Sequence, residues 1–242
     1  MVLPKIYIGT SGWHYKHWKE IFYPENLRDN DQLPFYAKQF HTVEINNSFY
    51  RQPSEGAFKT WKDRVPADFR FAVKANRYIT HLKKLHEVTA YTNSFIQLAT
   101  QLGKKLGPFL FQLPPSWKLN LTRLSDFTGA LPKGYRYVFE FRNPEWYVPE
   151  VYEILHAHNC AFCIYELAGH QSPVEITADF AYVRLHGPCG KYQGKYSDTA
   201  LREWAGQCRT WQQNGKDVFF YFDNDERAYA VDNANTLAMF LQ

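Results

Sequence analysis

The chain has 242 residues, of which 45% are hydrophobic, and a formal net charge of +4. This length and apolar content suit one large core, and a (β/α)₈ barrel typically needs about 250 residues. No apolar run reaches the roughly 20 residues of a membrane span, and the first residues lack the apolar segment of a signal peptide. We therefore expect a cytoplasmic protein with no membrane partner. The weak positive charge permits an anionic partner but falls short of a dedicated nucleic-acid binder.

Eight short apolar runs recur along the chain, and polar residues follow each of them. The runs are Ile6–Gly9, Thr42–Ile45, Arg70–Lys74, Phe109–Gln112, Tyr137–Phe141, Phe162–Tyr165, Ala181–Leu185 and Val218–Phe222. Near-continuous apolar character is typical of parallel strands that are buried on both faces. The runs therefore predict eight strands of one sheet.

Helix-like segments separate most of these strands. The clearest are Asn93–Leu102, Leu121–Leu131, Glu150–His158, Leu201–Gln213 and about Asp232–Leu241. Gly103 is expected to end the first of them, and Asp232 or Asn233 to cap the last. The alternation predicts an α/β protein with a single TIM-type (β/α)₈ barrel domain over residues 1–242.

The connection between the sixth and seventh strands is expected to be irregular. Gly169, Ser172 and Pro173 interrupt it and leave no room for a clean helix. The C-x-x-C pair Cys160 and Cys163 runs straight into the sixth strand, whereas a redox pair opens a helix. We therefore expect reduced thiols without a metal or redox role.

Polar residues cluster where these strands end, which is where barrel enzymes form their active sites. The candidate site residues are Trp13, Glu44, Asn46, Tyr50, Lys74, Gln112, Glu140, Arg142, Arg184, His186, Tyr192, Tyr196, Asp223 and Asp225. A charged side chain inside an apolar strand is costly unless it is paired. We therefore predict one network in the barrel mouth, formed by Glu44, Lys74, Glu140, Arg142, Arg184, His186 and Asp223. The alternative is a purely structural role, in which these residues form ion pairs that close the top of the barrel.

Several of these segments resemble the YecE-like family, the domain of unknown function numbered seventy-two. The segments that carry the resemblance are Gly9–Tyr15, Thr42–Tyr50, Phe71–Lys74, Leu106–Pro115, Phe139–Arg142, Tyr182–Gly187 and Tyr221–Asp225. They follow one another in consistent order over nearly the whole chain. The resemblance implies a TIM-type barrel, related in shape to endonuclease IV and xylose isomerase-like barrels, and it implies no established activity.

Three functions are open at this point. In the first, the mouth binds or processes a phosphate-bearing ligand, including nucleic acid, and by analogy with endonuclease IV the reaction would be a hydrolysis. Lys74, Arg142 and Arg184 would hold phosphate oxygens. Aromatic residues would stack on bases, namely Trp13, Phe49, Tyr50, Tyr192 and Tyr196. The catalytic candidates for proton transfer are Glu44, Glu140, His186 and Asp223.

The second function is a glycosidase-like or isomerase-like reaction that uses Glu44 and Glu140 as a carboxylate pair. The third is a non-catalytic anion-binding module. We expect no zinc cluster, because His186 is the only histidine at the predicted strand ends, and no cofactor or obligate protein partner. A single divalent ion on Glu44, Glu140 and Asp223 is the remaining metal hypothesis. The loop after strand seven, which carries Tyr192 and Tyr196, is a candidate lid.

Overall fold

Eight parallel strands form the wall of a barrel in the computed structural model, which describes residues 4–242. They are β1 (Ile6–Thr10), β2 (Thr42–Ile45), β3 (Arg70–Lys74), β4 (Leu106–Leu113), β5 (Tyr137–Phe141), β6 (Cys160–Leu167), β7 (Phe180–Leu185) and β8 (Asp217–Phe222). Each strand from β2 to β7 pairs with the next in the chain, and β8 pairs with both β7 and β1. The predicted TIM-type barrel is confirmed. The part of the export prediction that rests on residues 1–3 lies outside the described residues.

The barrel closes between β1 and β2 through side chains and one backbone contact beyond the strands. The Gly12 amide donates to the Glu44 carbonyl at 2.8 Å. The Tyr36 hydroxyl accepts from the Thr10 amide at 2.9 Å and donates to the Thr42 carbonyl at 3.0 Å. A Cβ at Gly9 would lie 2.2 Å from that same carbonyl oxygen, so only glycine allows this approach.

Eight α-helices and several shorter helical turns connect the strands in the described part of the chain. The α-helices are α1 (Gln32–Tyr36), α2 (Asn47–Tyr50), α3 (Glu55–Asp63), α4 (Thr89–Ala99), α5 (Leu121–Gly129), α6 (Pro149–Ala157), α7 (Asp198–Gln213) and α8 (Tyr229–Leu241). The turns are Lys16–Trp18, Asp29–Asp31, Tyr78–Leu82, Thr100–Lys105, Pro144–Trp146 and Glu226–Ala228. The five predicted helices all exist.

Several predicted helix bounds differ from the structure. Helix α4 spans Thr89–Ala99 rather than Asn93–Leu102, and a 3₁₀ turn follows it across Gly103, the residue expected to end the helix. Helix α8 begins at Tyr229 rather than at Asp232. Asn233 does not cap it, because its side chain accepts from the Tyr196 amide and donates to the Tyr196 carbonyl, both at 3.1 Å.

The irregular connection after β6 is confirmed. A two-residue strand, His170–Gln171, folds back on β6, and no helix lies between Leu167 and Phe180. Side-chain hydroxyls satisfy the backbone of β6 where the next strand does not reach it. Ser172 Oγ accepts from the Tyr165 amide at 2.9 Å, and Thr177 Oγ1 accepts from the Phe162 amide at 2.8 Å.

The barrel interior is aromatic below and charged above. Tyr7, Phe180, Tyr182, Phe219 and Tyr221 belong to one buried cluster inside the strands. Because alternate residues of a strand share a face, the charged residues above them project into the same interior, toward the carboxyl ends of the strands.

The C-x-x-C cysteines behave as core residues of β6. Cys160 packs outside the barrel against the helices, and Cys163 packs inside it. Burial raises the pKa of the Cys160 thiol to about 12 and that of Cys163 well above its ordinary value. Two protonated thiols on opposite faces of a strand do not act as a redox pair.

Candidate functional site

A fully buried arginine organises the carboxyl ends of the strands. Arg184 Nη1 donates to Glu140 Oε2 at 2.7 Å, and Nη2 donates to Glu44 Oε1 at 2.7 Å and to Asp223 Oδ2 at 3.2 Å. Burial would lower the pKa of Arg184, but the surrounding carboxylates raise it well above its ordinary value. Three carboxylates therefore converge on one permanent cation, at the place where the metal hypothesis would have put a divalent ion.

His186 joins this network as a neutral ring. Its Nε2 lies 2.7 Å from Arg142 Nη2 and 3.2 Å from Arg184 Nη1. A guanidinium only donates hydrogen bonds, so Nε2 must accept. The ring proton then sits on Nδ1, which donates to Asp223 Oδ2 at 2.8 Å. Both ring nitrogens of His186 are thus committed within the protein.

Two carboxylates of the network, Glu140 and Asp223, are held in the ionised form. Burial by itself would raise the pKa of Glu140, but Arg142 and Arg184 hold it well below its usual range. Burial opposes ionisation of Asp223 as well, and the hydrogen bond from His186 and the charge of Arg184 lower its pKa. Below them, the Tyr182 hydroxyl donates to Glu44 Oε2 at 2.6 Å. Six of the seven predicted members therefore form one hydrogen-bonded cluster, and Lys74 lies beside it.

A pocket of about 380 Å³ opens above this network, and we call it the mouth pocket. Its aromatic lining is Trp13, Tyr15, Phe49, Tyr50 and Tyr192. Its polar lining is His14, Asn46, Asn47, Lys74, Asp223 and Asp225, with Gly12 at one edge. Glu44, Glu140, Arg184 and His186 are buried beneath it and do not line it. The volume falls in the range of pockets for small ligands.

Lys74 supplies the ammonium group of the mouth pocket. Its Nζ lies 4.6 Å from the ring centroid of Phe49. Within residues 4–242 it has no carboxylate within 4.0 Å and no hydrogen-bond partner. Burial, with the nearby charge of Arg184, lowers the pKa of Lys74 to about 8. The ammonium therefore faces the pocket without a direct ion-pair partner among residues 4–242.

Two neighbouring side chains hold Lys74 and Phe49 in place. Ser48 Oγ donates to the Lys74 carbonyl at 2.6 Å, and Asn76 Nδ2 donates to the Ser48 carbonyl at 3.0 Å. These bonds tie the short helix α2 to the end of β3. In the same region Asn46 Oδ1 is buried and has no partner among residues 4–242, so it is an acceptor available to a ligand that carries a donor.

The two aspartates of the mouth pocket differ in their surroundings. Asp223 uses Oδ2 for both Arg184 and His186, which leaves Oδ1 for the pocket side. Asp225 lies 3.2 Å from His17 Nε2. Burial and the charge of Asp223 raise the pKa of Asp225. The pocket thus contains one ionised carboxylate and one that gains a proton more readily.

Besides the four residues beneath it, three further sequence candidates lie outside the mouth pocket. Gln112 pairs in register with Glu140 on the neighbouring strand. The Arg142 guanidinium packs over the Tyr165 ring at 4.5 Å and bonds Glu140. The Tyr196 hydroxyl accepts from the Gly187 amide at 3.0 Å, and the ring is buried. Tyr196 therefore anchors the loop after β7 and does not face the pocket, whereas Tyr192 of that loop does.

Sequence reasoning missed three members of the pocket lining, His14, Tyr15 and Asn47. Two follow Trp13 and one follows Asn46, so adjacency to predicted site residues was the available signal. Tyr15 is held by a hydrogen bond from its hydroxyl to the Ser11 carbonyl. Burial raises its pKa well above the ordinary value, so it stays protonated.

The sequence profile of the family described as "Protein of unknown function DUF72" matches residues 7–242. The chain belongs to this family. UPF0759 protein YunF of Bacillus subtilis is 29% identical over 98% of this chain and 94% of its own length. UPF0759 protein YecE of Escherichia coli is 27% identical over 59% of this chain and 50% of its own length.

A crystal structure of a DUF72 family protein from Thermotoga maritima has the same fold. It superposes with a TM-score of 0.86 at 27% identity and covers 98% of this chain and 99% of its own. The YecE-like resemblance and the barrel are thereby confirmed. None of the names of these relatives states an activity.

No helix among residues 4–242 is long and apolar enough to span a membrane. No group of three or more His, Cys, Asp and Glu side chains there is arranged to hold a metal ion.

Proposed function

We propose that the mouth pocket binds a small phosphate-bearing ligand with a planar ring, of the chemical class of a nucleotide. The observation that carries this proposal is Lys74, a half-buried lysine whose ammonium faces the pocket with no carboxylate of residues 4–242 within 4.0 Å. Burying a cation without a partner is costly. An anionic ligand would supply the missing charge, and a charge-assisted hydrogen bond contributes about 1.5–3 kcal/mol.

The walls of the pocket suit the planar part of such a ligand. Trp13 and Phe49 present aromatic surface inside the pocket, and Tyr50 stands at its rim with 75% of its surface exposed. Stacking of a base on an aromatic side chain is worth about 1–3 kcal/mol. Asn46 Oδ1 and Asp223 Oδ1 are acceptors for hydroxyl or amino groups of the ligand.

The arginines contribute to this proposal indirectly. Three carboxylates bind the terminal nitrogens of Arg184, and Arg142 contacts Glu140, His186 and the Tyr165 ring. Their role is to fix Asp223 and the floor of the pocket, so phosphate contact falls to Lys74. The charged cluster also keeps the floor of the pocket rigid, because several partners hold each of its side chains.

The geometry supports binding better than the reaction by Glu44 and Glu140. Both carboxylates are fully buried, both bond Arg184, and neither lines the pocket. Because the pKa of Glu140 lies well below its usual range, this carboxyl group is a poor general acid. If the site carries out proton transfer, the geometry assigns it to Asp225, whose pKa is raised and which faces the pocket.

Isothermal titration calorimetry tests this proposal with thymidine 5′-monophosphate and thymidine as probes. We expect the phosphate form to bind at least tenfold more tightly, and K74M to remove that difference while leaving the affinity for thymidine unchanged. K83M is the matched control, because Lys83 packs its Nζ 5.9 Å from the Tyr78 ring outside the pocket. Equal affinities for the two probes in the wild-type protein, or an unchanged difference in K74M, would refute the phosphate site.

A further inference from the structure

A second pocket of about 350 Å³ lies next to the mouth pocket, and we call it the side pocket. Trp13, His14 and Asn47 line both pockets. These three residues therefore form the boundary between the two spaces, and a ligand that crosses them would occupy both. The proposed nucleotide site uses only the mouth pocket, so the side pocket has no role in it.

The side pocket repeats the combination of aromatic surface and cation found in the mouth pocket. Trp61 contributes a half-buried ring whose plane stands at 83° to that of Trp13, with the ring centroids 5.5 Å apart. Arg64 contributes an exposed guanidinium that bonds the Asn30 carbonyl. In the described part of the chain no carboxylate lies within 4.0 Å of Arg64, whereas Asp29 at the edge of the pocket lies 3.9 Å from Lys19.

The aromatic floor of the side pocket is fixed before any ligand arrives. Trp61 lies on α3, packs edge-to-face on Phe58 at 5.4 Å, and Phe58 is fully buried. Helix α3 begins after Ser54, whose Oγ accepts from the Ala57 amide. On the other side the Trp13 carbonyl accepts from the Tyr23 hydroxyl. A platform held in this way loses little conformational entropy when a ring stacks on it.

We propose that the mouth and side pockets form one groove that binds a two-unit ligand, a dinucleotide or the 5′ end of a single-stranded oligonucleotide. The proposal rests on the proposed nucleotide site. One base and its 5′-phosphate occupy the mouth pocket at Lys74. The next base stacks on Trp61, and the phosphate that links the two units pairs with Arg64.

The repeat in the protein is what selects this class of ligand. Each of the two adjoining pockets contains aromatic surface and a cation without a carboxylate within 4.0 Å, and each unit of single-stranded nucleic acid likewise pairs a base with a phosphate. A mononucleotide would leave Trp61 and Arg64 without a role. Because the second unit is tethered to the first, its binding is intramolecular and raises the affinity by tenfold or more.

Calorimetric titration with two thymidylate probes tests the groove. The probes are thymidine 5′-monophosphate and the 5′-phosphorylated dithymidylate. We expect the dinucleotide to bind the wild-type protein at least tenfold more tightly than the mononucleotide. R64Q should remove most of this gain and leave the affinity for the mononucleotide unchanged, because Arg64 does not line the mouth pocket.

The matched control is K59Q, which removes a positive charge from the same helix at an exposed position outside both pockets. It should leave both affinities unchanged. Equal affinity for the two probes in the wild-type protein, or a gain that survives in R64Q, overturns the groove and leaves the mononucleotide site standing. Failure of both probes to bind overturns the proposed function together with the groove.

Discussion

Replacing Lys74 by methionine is expected to stabilise the folded protein at neutral pH. The structure lowers the pKa of Lys74 from its ordinary 10.5 to about 8, chiefly because the ammonium is buried. At about 1.4 kcal/mol for each pH unit, the protonated lysine therefore costs the folded state about 3 kcal/mol. Methionine has a similar stem and no charge, so it should remove this cost while it removes the proposed phosphate contact.

The pH dependence identifies the cause of the effect. Below pH 8 the folded and unfolded chains both hold Lys74 protonated, so the whole cost is present. Between pH 8 and 10.5 the unfolded chain keeps the proton and the folded chain releases it, and the wild-type free energy of unfolding gains about 1.4 kcal/mol per pH unit relative to K74M. Above pH 10.5 the cost is gone. Any packing effect of methionine is independent of pH and adds a constant.

Urea unfolding of wild type, K74M and K83M at pH 7, 9 and 10 provides the measurement. The difference in unfolding free energy between K74M and wild type should shrink by about 3 kcal/mol over the titration of Lys74. K83M, whose lysine is exposed, should show no such change. A difference for K74M that is the same at pH 7 and pH 10 would show that Lys74 is not a buried, unpaired cation, and the phosphate site would lose its main support.

Two further substitutions test the network and the barrel seam. R184M should lower the free energy of unfolding by about 3–5 kcal/mol, because it leaves three carboxylates without their shared cation; a loss below about 1 kcal/mol in urea unfolding would contradict this account. G9A should cost more than about 2 kcal/mol, because its Cβ would lie 2.2 Å from the Thr42 carbonyl oxygen. G206A in α7 meets nothing within 4 Å and should instead raise the thermal midpoint slightly, so equal midpoints for G9A and G206A would disprove the close contact at the seam.

The eight strands could be predicted from the sequence, because parallel barrel strands are buried on both faces and so appear as continuous apolar runs. The residues of the charged network could be predicted for a related reason. Glu44, Glu140 and Arg184 interrupt those runs and Asp223 follows one directly, and alternation along each strand places them all on the inner face. The helix ends were harder to predict, as α8 shows. Asparagine is a residue type that often caps helices, but the side chain of Asn233 instead bonds the backbone of Tyr196 in the loop after β7.

The amino-acid sequence by itself determined the barrel, the family and the set of charged residues at its mouth. Only the tertiary structure decided which of them line the mouth pocket. Strand alternation fixes the face of a residue but not its depth or its partners, which depend on how the strands are staggered around the barrel. This stagger buries Arg184 among three carboxylates and leaves Lys74 facing the mouth pocket, with no carboxylate of residues 4–242 within 4.0 Å. Two cations that look equivalent in the sequence therefore have different surroundings, since one is enclosed by ion pairs and the other lines a pocket.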